Sequence, residues 1–83
     1  MGGINMNRFV QERDRSFTDF VKTGDLKAVR KYCRKYRVKI PENERAFKAG
    51  IYKAVQEYRG IPQDVKDLAA VKCVELGFSP TMR

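Results

Sequence analysis

Apolar side chains recur every three or four positions along most of this chain of 83 residues, and no segment shows the strict alternation of a β-strand. No Asn-Gly or Asp-Gly dipeptide marks a hairpin turn. The pattern predicts helices over approximately residues 7–22, 25–37, 42–58 and 62–76. A chain of this length buries roughly 60–65% of its unfolded surface, which is enough for one modest core. We therefore predict an all-α fold, a compact bundle of about four short helices, with a loose leader at residues 1–5 and a single helical domain at 6–83.

The first predicted helix has one position that conflicts with a continuous buried face. Its apolar residues fall within one sector of the helical wheel: Phe9, Val10, Phe17, Phe20 and Val21. Arg13 lies in the middle of that sector. Ser16, with Asp19 three residues later, resembles a capping box, which marks a helix N-terminus. We therefore predict a break or bend near residues 14–16.

The third and fourth predicted helices also contribute to the core. Ala46, Gly50 and Ala54 are spaced by four residues and predict a ridge of small side chains that another helix approaches closely. The fourth helix carries more apolar residues than one buried face needs, and Val71 and Val74 are left over. The predicted core consists of Phe17, Phe20, Leu26, Val29, Cys33, Phe47, Ile51, Val55, Leu68 and Cys73.

Glycine and an acidic cap mark the predicted helix ends. Gly24, Gly60 and Gly77 each follow a helical stretch, where a residue in the left-handed conformation commonly closes the last turn. Asp25 is the predicted N-cap of the second helix, because its carboxylate can accept from free backbone N–H groups.

Positive charge is concentrated on the second predicted helix. Seven of the thirteen residues from 27 to 39 are basic and none is acidic, so this stretch holds +7 of the net charge of +8. Leu26, Val29, Cys33 and Tyr36 form an apolar seam at helical spacing on the other side. The predicted polyanion-binding residues are Lys27, Arg30, Lys31, Arg34, Lys35, Arg37 and Lys39.

Several kinds of chemistry lack their residues here. The chain has no histidine, which excludes Ser-His and Cys-His nucleophilic pairs and histidine-containing zinc sites. Cys33 and Cys73 lie on apolar helical faces, where a thiol usually acts as a small hydrophobe. The acidic pairs at 42/44 and 64/67 complement helix dipoles, and a carboxylate metal site is the less favoured interpretation. We therefore predict no enzymatic activity, no cofactor and no metal.

The basic helix has two interpretations. Every helix needs a solvated face, and cations near a helix C-terminus are stabilised by its dipole. However, like charges four residues apart repel, and this helix has three such pairs, Lys27/Lys31, Arg30/Arg34 and Lys31/Lys35. A face selected only for stability would alternate its signs, so binding to a polyanion such as the nucleic acid backbone is weakly favoured.

The aromatic residues beside the basic side chains leave base contact open. Tyr32 and Tyr36 could stack on bases, or could pack at the boundary with their hydroxyls in water, and the second interpretation is favoured. A helix-turn-helix reader is not supported, because the third helix begins with Glu42 and Glu44, which would face phosphates with the wrong sign. Any nucleic-acid contact is therefore expected to be directed at the backbone.

Three short segments carry a resemblance to a known group of proteins. Residues 32–36 (YCRKY), 49–54 (AGIYKA) and 76–80 (LGFSP) resemble segments of small uncharacterised proteins encoded in prophage-like regions of Gram-positive bacteria. The likeness covers roughly residues 16–80 as an order of helices and turns. Members of that group have a histidine near the position of Tyr52, which this chain lacks. The resemblance implies a bacterial or phage cytoplasmic setting, and it carries no activity over to this chain.

The sequence thus predicts a non-enzymatic helical binding module with nucleic acid or an acidic protein as its partner. The alternative is a protein–protein adaptor or a homodimerising structural protein that uses the apolar surface of helix 62–76. No apolar run approaches the ~18–20 residues of a membrane span, and the N-terminus lacks the apolar region of a signal peptide. We therefore expect a cytoplasmic protein with reduced thiols and no membrane partner.

Overall fold

Four helices follow one another along the chain: α1 (Gly2–Thr23), α2 (Lys27–Lys35), α3 (Glu44–Val55) and α4 (Gln63–Glu75). The computed structural model describes residues 2–80, with side chains from residue 8 onward, and no strand occurs within that part of the chain. Helix α1 lies against each of the other three helices, and α3 and α4 lie against each other. The predicted all-α bundle of four helices is confirmed, and α2 sits at its side with one face free for solvent.

Helix α1 is longer and more regular than predicted. It begins at Gly2, so the leader predicted at residues 1–5 is helical from residue 2, while Met1 lies outside the described residues. Once a helix is nucleated, each further residue adds one backbone hydrogen bond, which favours extension beyond the amphipathic stretch.

The break predicted near residues 14–16 is wrong, because α1 runs through this region without interruption. Ser16 does not cap a new helix: its hydroxyl donates to the carbonyl of Arg13 at 3.1 Å. The Arg13 guanidinium lies 3.6 Å from the centroid of the Tyr58 ring and forms an ion pair with Asp14 at 3.0 Å. The cation in the apolar sector is therefore accommodated by an aromatic ring and a carboxylate.

The ends of the other helices lie one to three residues inside the predicted limits. Gly24 and Gly77 adopt positive φ values of 80° and 90°, as their predicted capping roles require. The Asp25 carboxylate accepts from the N–H of Lys27 at 2.9 Å and so serves the start of α2. Helix α3 begins after Asn43, whose side chain accepts from Ala46 N–H at 3.1 Å, a cap that the sequence prediction missed. Helix α3 also ends at Val55, so Gly60 does not cap it.

Nine of the ten predicted core residues are buried, and Leu68 is the exception with 36% of its surface exposed. Helix α4 buries the line Val65, Ala69 and Cys73, and Leu68 lies about 100° around the helix from the middle of that line. The core also includes residues that the prediction left out: Ser16, Val21, Tyr32, Ala49, Tyr52, Ile61, Val65 and Ala69.

The close helix contact predicted at Gly50 is wrong. Gly50 is exposed, and a side-chain carbon added there would meet nothing within 4 Å. Helix α3 instead buries Ala49 toward α4, where its carbonyl lies 3.9 Å from the Cys73 Sγ. The glycine that permits a close approach is Gly60, since a Cβ at that position would collide with the Asp14 carboxylate of α1.

Candidate polyanion-binding face on helix α2

The basic residues of helix α2 face solvent because its large apolar residues pack into the core on the opposite side. Val29, Tyr32 and Cys33 are buried, and Leu26 is buried just before the helix begins. The opposite side of the helix, together with the turn that follows it, carries all seven predicted cations. We call this surface the basic face: Lys27, Arg30, Lys31, Arg34, Lys35, Arg37 and Lys39.

Two of the seven cations are paired with carboxylates from neighbouring helices. The Lys35 ammonium lies 2.8 Å from Glu12 of α1, and the Arg30 guanidinium lies 3.7 Å from Glu44 of α3. Arg30 also lies 5.5 Å from the centroid of the Phe47 ring. These two side chains therefore connect α2 to the rest of the bundle.

The other five cations of the basic face project into solvent. None of these five forms an ion pair with a carboxylate among the side chains of residues 8–80: Lys27, Lys31, Arg34, Arg37 and Lys39. We call them the unpaired cations. At 1.5 Å of rise per residue, the stretch from Lys27 to Arg34 extends about 10 Å along the helix. It therefore forms a short line of positive charge with no opposite charge within it.

Glu12 is the centre of a small hydrogen-bonded group at one edge of the basic face. It accepts from Lys35 at 2.8 Å and from the hydroxyl of Tyr36 through its other oxygen. The hydrogen bond from Lys35 is the main cause that holds the pKa of Glu12 below its ordinary value. The same contact raises the pKa of Lys35, and the Glu12 carboxylate raises the pKa of Tyr36. Glu12 is thus an anion at neutral pH and compensates the charge of Lys35.

The tyrosines of α2 belong to the core and its boundary. Tyr32 is only 6% exposed, and its ring centroid lies 5.5 Å from that of Phe9 and 5.6 Å from that of Phe17. Burial raises the pKa of Tyr32 to about 12. Tyr36 is half-buried and packs edge-on against Phe9 at 4.8 Å, with its hydroxyl on Glu12 rather than in water. Tyr32 therefore packs, as the favoured interpretation held, but in the core and not at the boundary, and its ring is not available for stacking on a base.

Arg37 has an unusual backbone conformation for its residue type. Its φ is +56°, in the left-handed region that favours glycine, and it is the only residue other than glycine in residues 2–80 with positive φ. The next N–H, from Val38, closes the end of α2 by donating to the carbonyl of Cys33 at 2.8 Å. The chain therefore keeps a cationic side chain where the helix end favours glycine.

An open groove of about 820 Å³ lies between α1 and α2 and borders the basic face. Its lining mixes both signs of charge, with Arg15, Lys22 and Lys31 on one hand and Asp14 and Asp19 on the other. A polyanion would meet repulsion there as well as attraction. The groove is therefore a less suitable anion site than the exposed line of unpaired cations.

Side chains that could support other chemistry do not come together in the part of the chain that the structure describes. No group of three or more His, Cys, Asp or Glu side chains that could hold a metal ion occurs among the described residues. Both cysteines are free and buried, and burial raises the pKa of each thiol. Cys73 donates from its Sγ to the carbonyl of Ser79 at 3.1 Å. Within residues 2–80, no helix combines the length and the apolar character needed to cross a bilayer.

Glu12 is the site residue that the sequence could not reveal. It comes close to Lys35 only because α1 and α2 pack side by side, and the two residues are 23 positions apart in the chain. Glu44 was interpreted as a charge at a helix N-terminus, and its contacts with Arg30 and Lys48 were not predicted.

No protein-family model, curated protein or solved structure matches this chain. Its function therefore has to be inferred from the geometry and charge of the basic face.

Proposed function

We propose that this protein is a non-enzymatic binding module that holds a polyanion, such as the backbone of a nucleic acid, on the basic face of α2. The observation that carries the proposal is the group of five unpaired cations, three in a line on the exposed side of α2 and two in the segment that follows the helix. Concentrated positive charge of this kind attracts polyanions and releases their bound counterions. A bacterial or phage cytoplasmic setting, in line with the sequence resemblance, is part of the same proposal.

Two features of α2 favour this proposal over a merely solvated face. Repulsion between cations four residues apart destabilises a helix by roughly 0.2–0.5 kcal/mol for each pair, and in the pair Lys27/Lys31 neither cation forms an ion pair with a described carboxylate. A side chain other than glycine in the left-handed region costs about 1–2 kcal/mol, and Arg37 is in that conformation. Both arrangements reduce the stability of the folded chain, and both place positive charge on the basic face.

The contacts that this face can make are with phosphates rather than with bases. Tyr32 is buried, so the most central aromatic ring of α2 cannot stack on a base. Glu44 stands at the start of α3 with 60% of its side chain exposed, where it repels a phosphate backbone. We therefore expect binding with little sequence preference and an affinity near the non-specific range of roughly 10⁻⁴–10⁻⁶ M at physiological salt.

The salt dependence of binding to a short DNA duplex tests the proposal. If four or five cations contact phosphates, the slope of log K against log salt is about −3.6 to −4.5, at −0.9 for each contact. The variant Lys27→Gln, Lys31→Gln, Arg34→Gln should flatten this slope by about 2.7, again at 0.9 for each lost contact. Helix α2 should survive the change, since glutamine is a good helix former.

A matched variant distinguishes this surface from the overall charge of the protein. Arg59→Gln, Lys66→Gln, Lys72→Gln removes three cations from the α3–α4 loop and from α4, so it has the same net charge as the first variant. It should leave the slope close to that of the original protein. Undetectable binding of both the duplex and a single-stranded oligonucleotide at about 50 mM salt, or equal losses in both variants, would contradict the proposal. An acidic protein would then be the better candidate for the partner of the basic face.

A second candidate function rests on the outer surface of α4. Three apolar side chains remain exposed there, to 36%, 54% and 55% of their surfaces: Leu68, Val71 and Val74. We call them the apolar stripe. Such a surface favours a protein–protein adaptor or a homodimer. Sedimentation at increasing concentration tests the homodimer, which Val71→Asp with Val74→Asp should dissociate.

A further inference from the structure

The two ion pairs of the basic face lie on opposite edges of α2. At 100° per residue, Arg30 lies roughly 100° from the buried Val29 on one side, and Lys35 lies about 120° from it on the other. Glu44 of α3 stands beside Arg30, and Glu12 of α1 stands beside Lys35. The line of unpaired cations therefore runs between two ion pairs, one on each edge of the helix.

We infer that Glu12 and Glu44 are specificity-determining residues that confine a bound polyanion to this line, so that α2 takes a single nucleic-acid strand along its axis. The inference rests on the proposed function of the basic face and adds the class and orientation of its ligand. Each carboxylate neutralises an edge cation and also repels any phosphate that approaches the edge.

Entry of α2 into the groove of a duplex fits this arrangement poorly. The major groove is about 12 Å wide, and a helix within it has a phosphate strand on each side. Those strands would face the edges of α2, where Arg30 and Lys35 are already paired and where Glu44 and Glu12 add negative charge. The unpaired cations would point at the floor of the groove instead of at phosphates.

A flexible single strand avoids both edges. It can pass Lys27, Lys31 and Arg34 in turn, and then reach Arg37 and Lys39 in the segment that follows the helix. Because Tyr32 is buried, the strand is held through its phosphates and its bases remain in solvent.

The double variant Glu12→Gln, Glu44→Gln tests the inference with an oligo-dT of about twenty nucleotides as the probe. Five phosphate contacts on a single strand give a slope of log K against log salt of about −3.5, at −0.7 for each contact. Glutamine can still accept hydrogen bonds but carries no charge, so Lys35 and Arg30 become free to bind phosphate. The slope should then steepen to about −4.9, which corresponds to seven contacts.

The control variant is Asp64→Asn, Glu75→Gln on α4, which raises the net charge by the same two units away from α2. It should leave the slope at its original value. An unchanged slope in Glu12→Gln, Glu44→Gln, or an equal change in the control, would overturn the inference while the proposed function stands. Binding of a duplex but not of oligo-dT at about 50 mM salt would overturn the single-strand assignment. Failure of the original protein to bind either probe would overturn the proposed function itself.

Discussion

The outer faces of α2 and α4 show two ways in which a helix of this bundle meets solvent. Helix α2 has nine residues and separates its apolar and charged side chains cleanly, with Val29, Tyr32 and Cys33 inside and its cations outside. Helix α4 has thirteen residues, buries Val65, Ala69 and Cys73, and leaves the apolar stripe in solvent. The two proposed partners follow this difference: a polyanion for the face of α2 and an apolar partner for that of α4.

The two helices also end in the same way with different residues. After α2, Val38 N–H donates to the Cys33 carbonyl, and after α4, Phe78 N–H donates to the Cys73 carbonyl. The residue in the left-handed conformation is Arg37 in the first case and Gly77 in the second. The same backbone motif is therefore built with the favoured residue at α4 and with an additional cation at the basic face. Arg37 therefore adds a cation to the basic face at a position where glycine would be less strained.

The largest effect that sharpens this comparison is expected from shortening one valine on each helix. Val29→Ala should lower the free energy of unfolding by about 2 kcal/mol, because a fully buried side chain loses two methyl groups and leaves a cavity. Val71→Ala should change it by less than about 0.5 kcal/mol, since Val71 is exposed and alanine is the better helix former. Urea denaturation of both variants measures the difference. A cost at Val71 as large as that at Val29 would show that a partner covers the apolar stripe in solution.

Smaller, opposite effects are expected from exchanging the residues at the two helix ends. Gly77→Ala should destabilise the fold by about 1 kcal/mol, because φ at this position is +90°. Arg37→Gly should stabilise it by up to about 1 kcal/mol, since glycine adopts a φ of +56° without steric cost. Denaturant midpoints at constant m-value provide the measurement. Destabilisation by Arg37→Gly would mean that the arginine side chain makes contacts that outweigh its backbone strain.

The smallest expected effect concerns the ion pair at the edge of the basic face. The pKa of Glu12 is lower in the folded protein than in the unfolded chain. The contribution of Glu12 to stability is therefore present above its pKa in the unfolded chain and is lost as the pH falls through its pKa in the folded protein. The difference in melting temperature between the original protein and Glu12→Gln should be largest near neutral pH. It should shrink as the pH is lowered below about 4, near the ordinary pKa of glutamate. A difference that stays constant from neutral to acidic pH would count against this contact.

The contacts of Glu12 also make the stability of the protein depend on pH in the alkaline range. Glu12 raises the pKa values of both Lys35 and Tyr36. The contributions of these two residues to stability are therefore present below their ordinary pKa values and are lost as the pH rises through their pKa values in the folded protein. Melting curves above pH ~10 should therefore converge for the original protein and Glu12→Gln.

Helical periodicity was enough to predict the four helices and the outward direction of the basic residues. The seam of Val29 and Cys33 on α2 corresponds to a single buried face, so the wheel and the structure agree. For α3 the helical wheel predicts the wrong buried face. This helix packs against both α1 and α4, so its buried arc is wider than the predicted one and includes Ala49 and Tyr52. Gly50 then falls outside the buried arc although it lies within the predicted ridge.

What could not be predicted depends on contacts between distant parts of the chain. The continuity of α1 depends on the Tyr58 ring that receives Arg13, and the loop that carries this ring is 45 residues away in the chain. The division of the basic face into paired and unpaired cations depends on Glu12 and Glu44, which belong to other helices. Local spacing contains no information about such partners, so the sequence predicted the cations but not which of them are compensated.

Titration of the isotope-labelled protein with oligo-dT, followed by NMR, tests the central claim most directly, because every backbone amide reports on its own surroundings. The basic face and the apolar stripe can then be compared in one experiment. We predict that the largest chemical-shift changes lie in residues 27–39 and that residues 64–75 of α4 change little. Changes concentrated on α4, or no change at any amide at about 50 mM salt with either oligo-dT or a DNA duplex, would contradict a polyanion-binding role for α2.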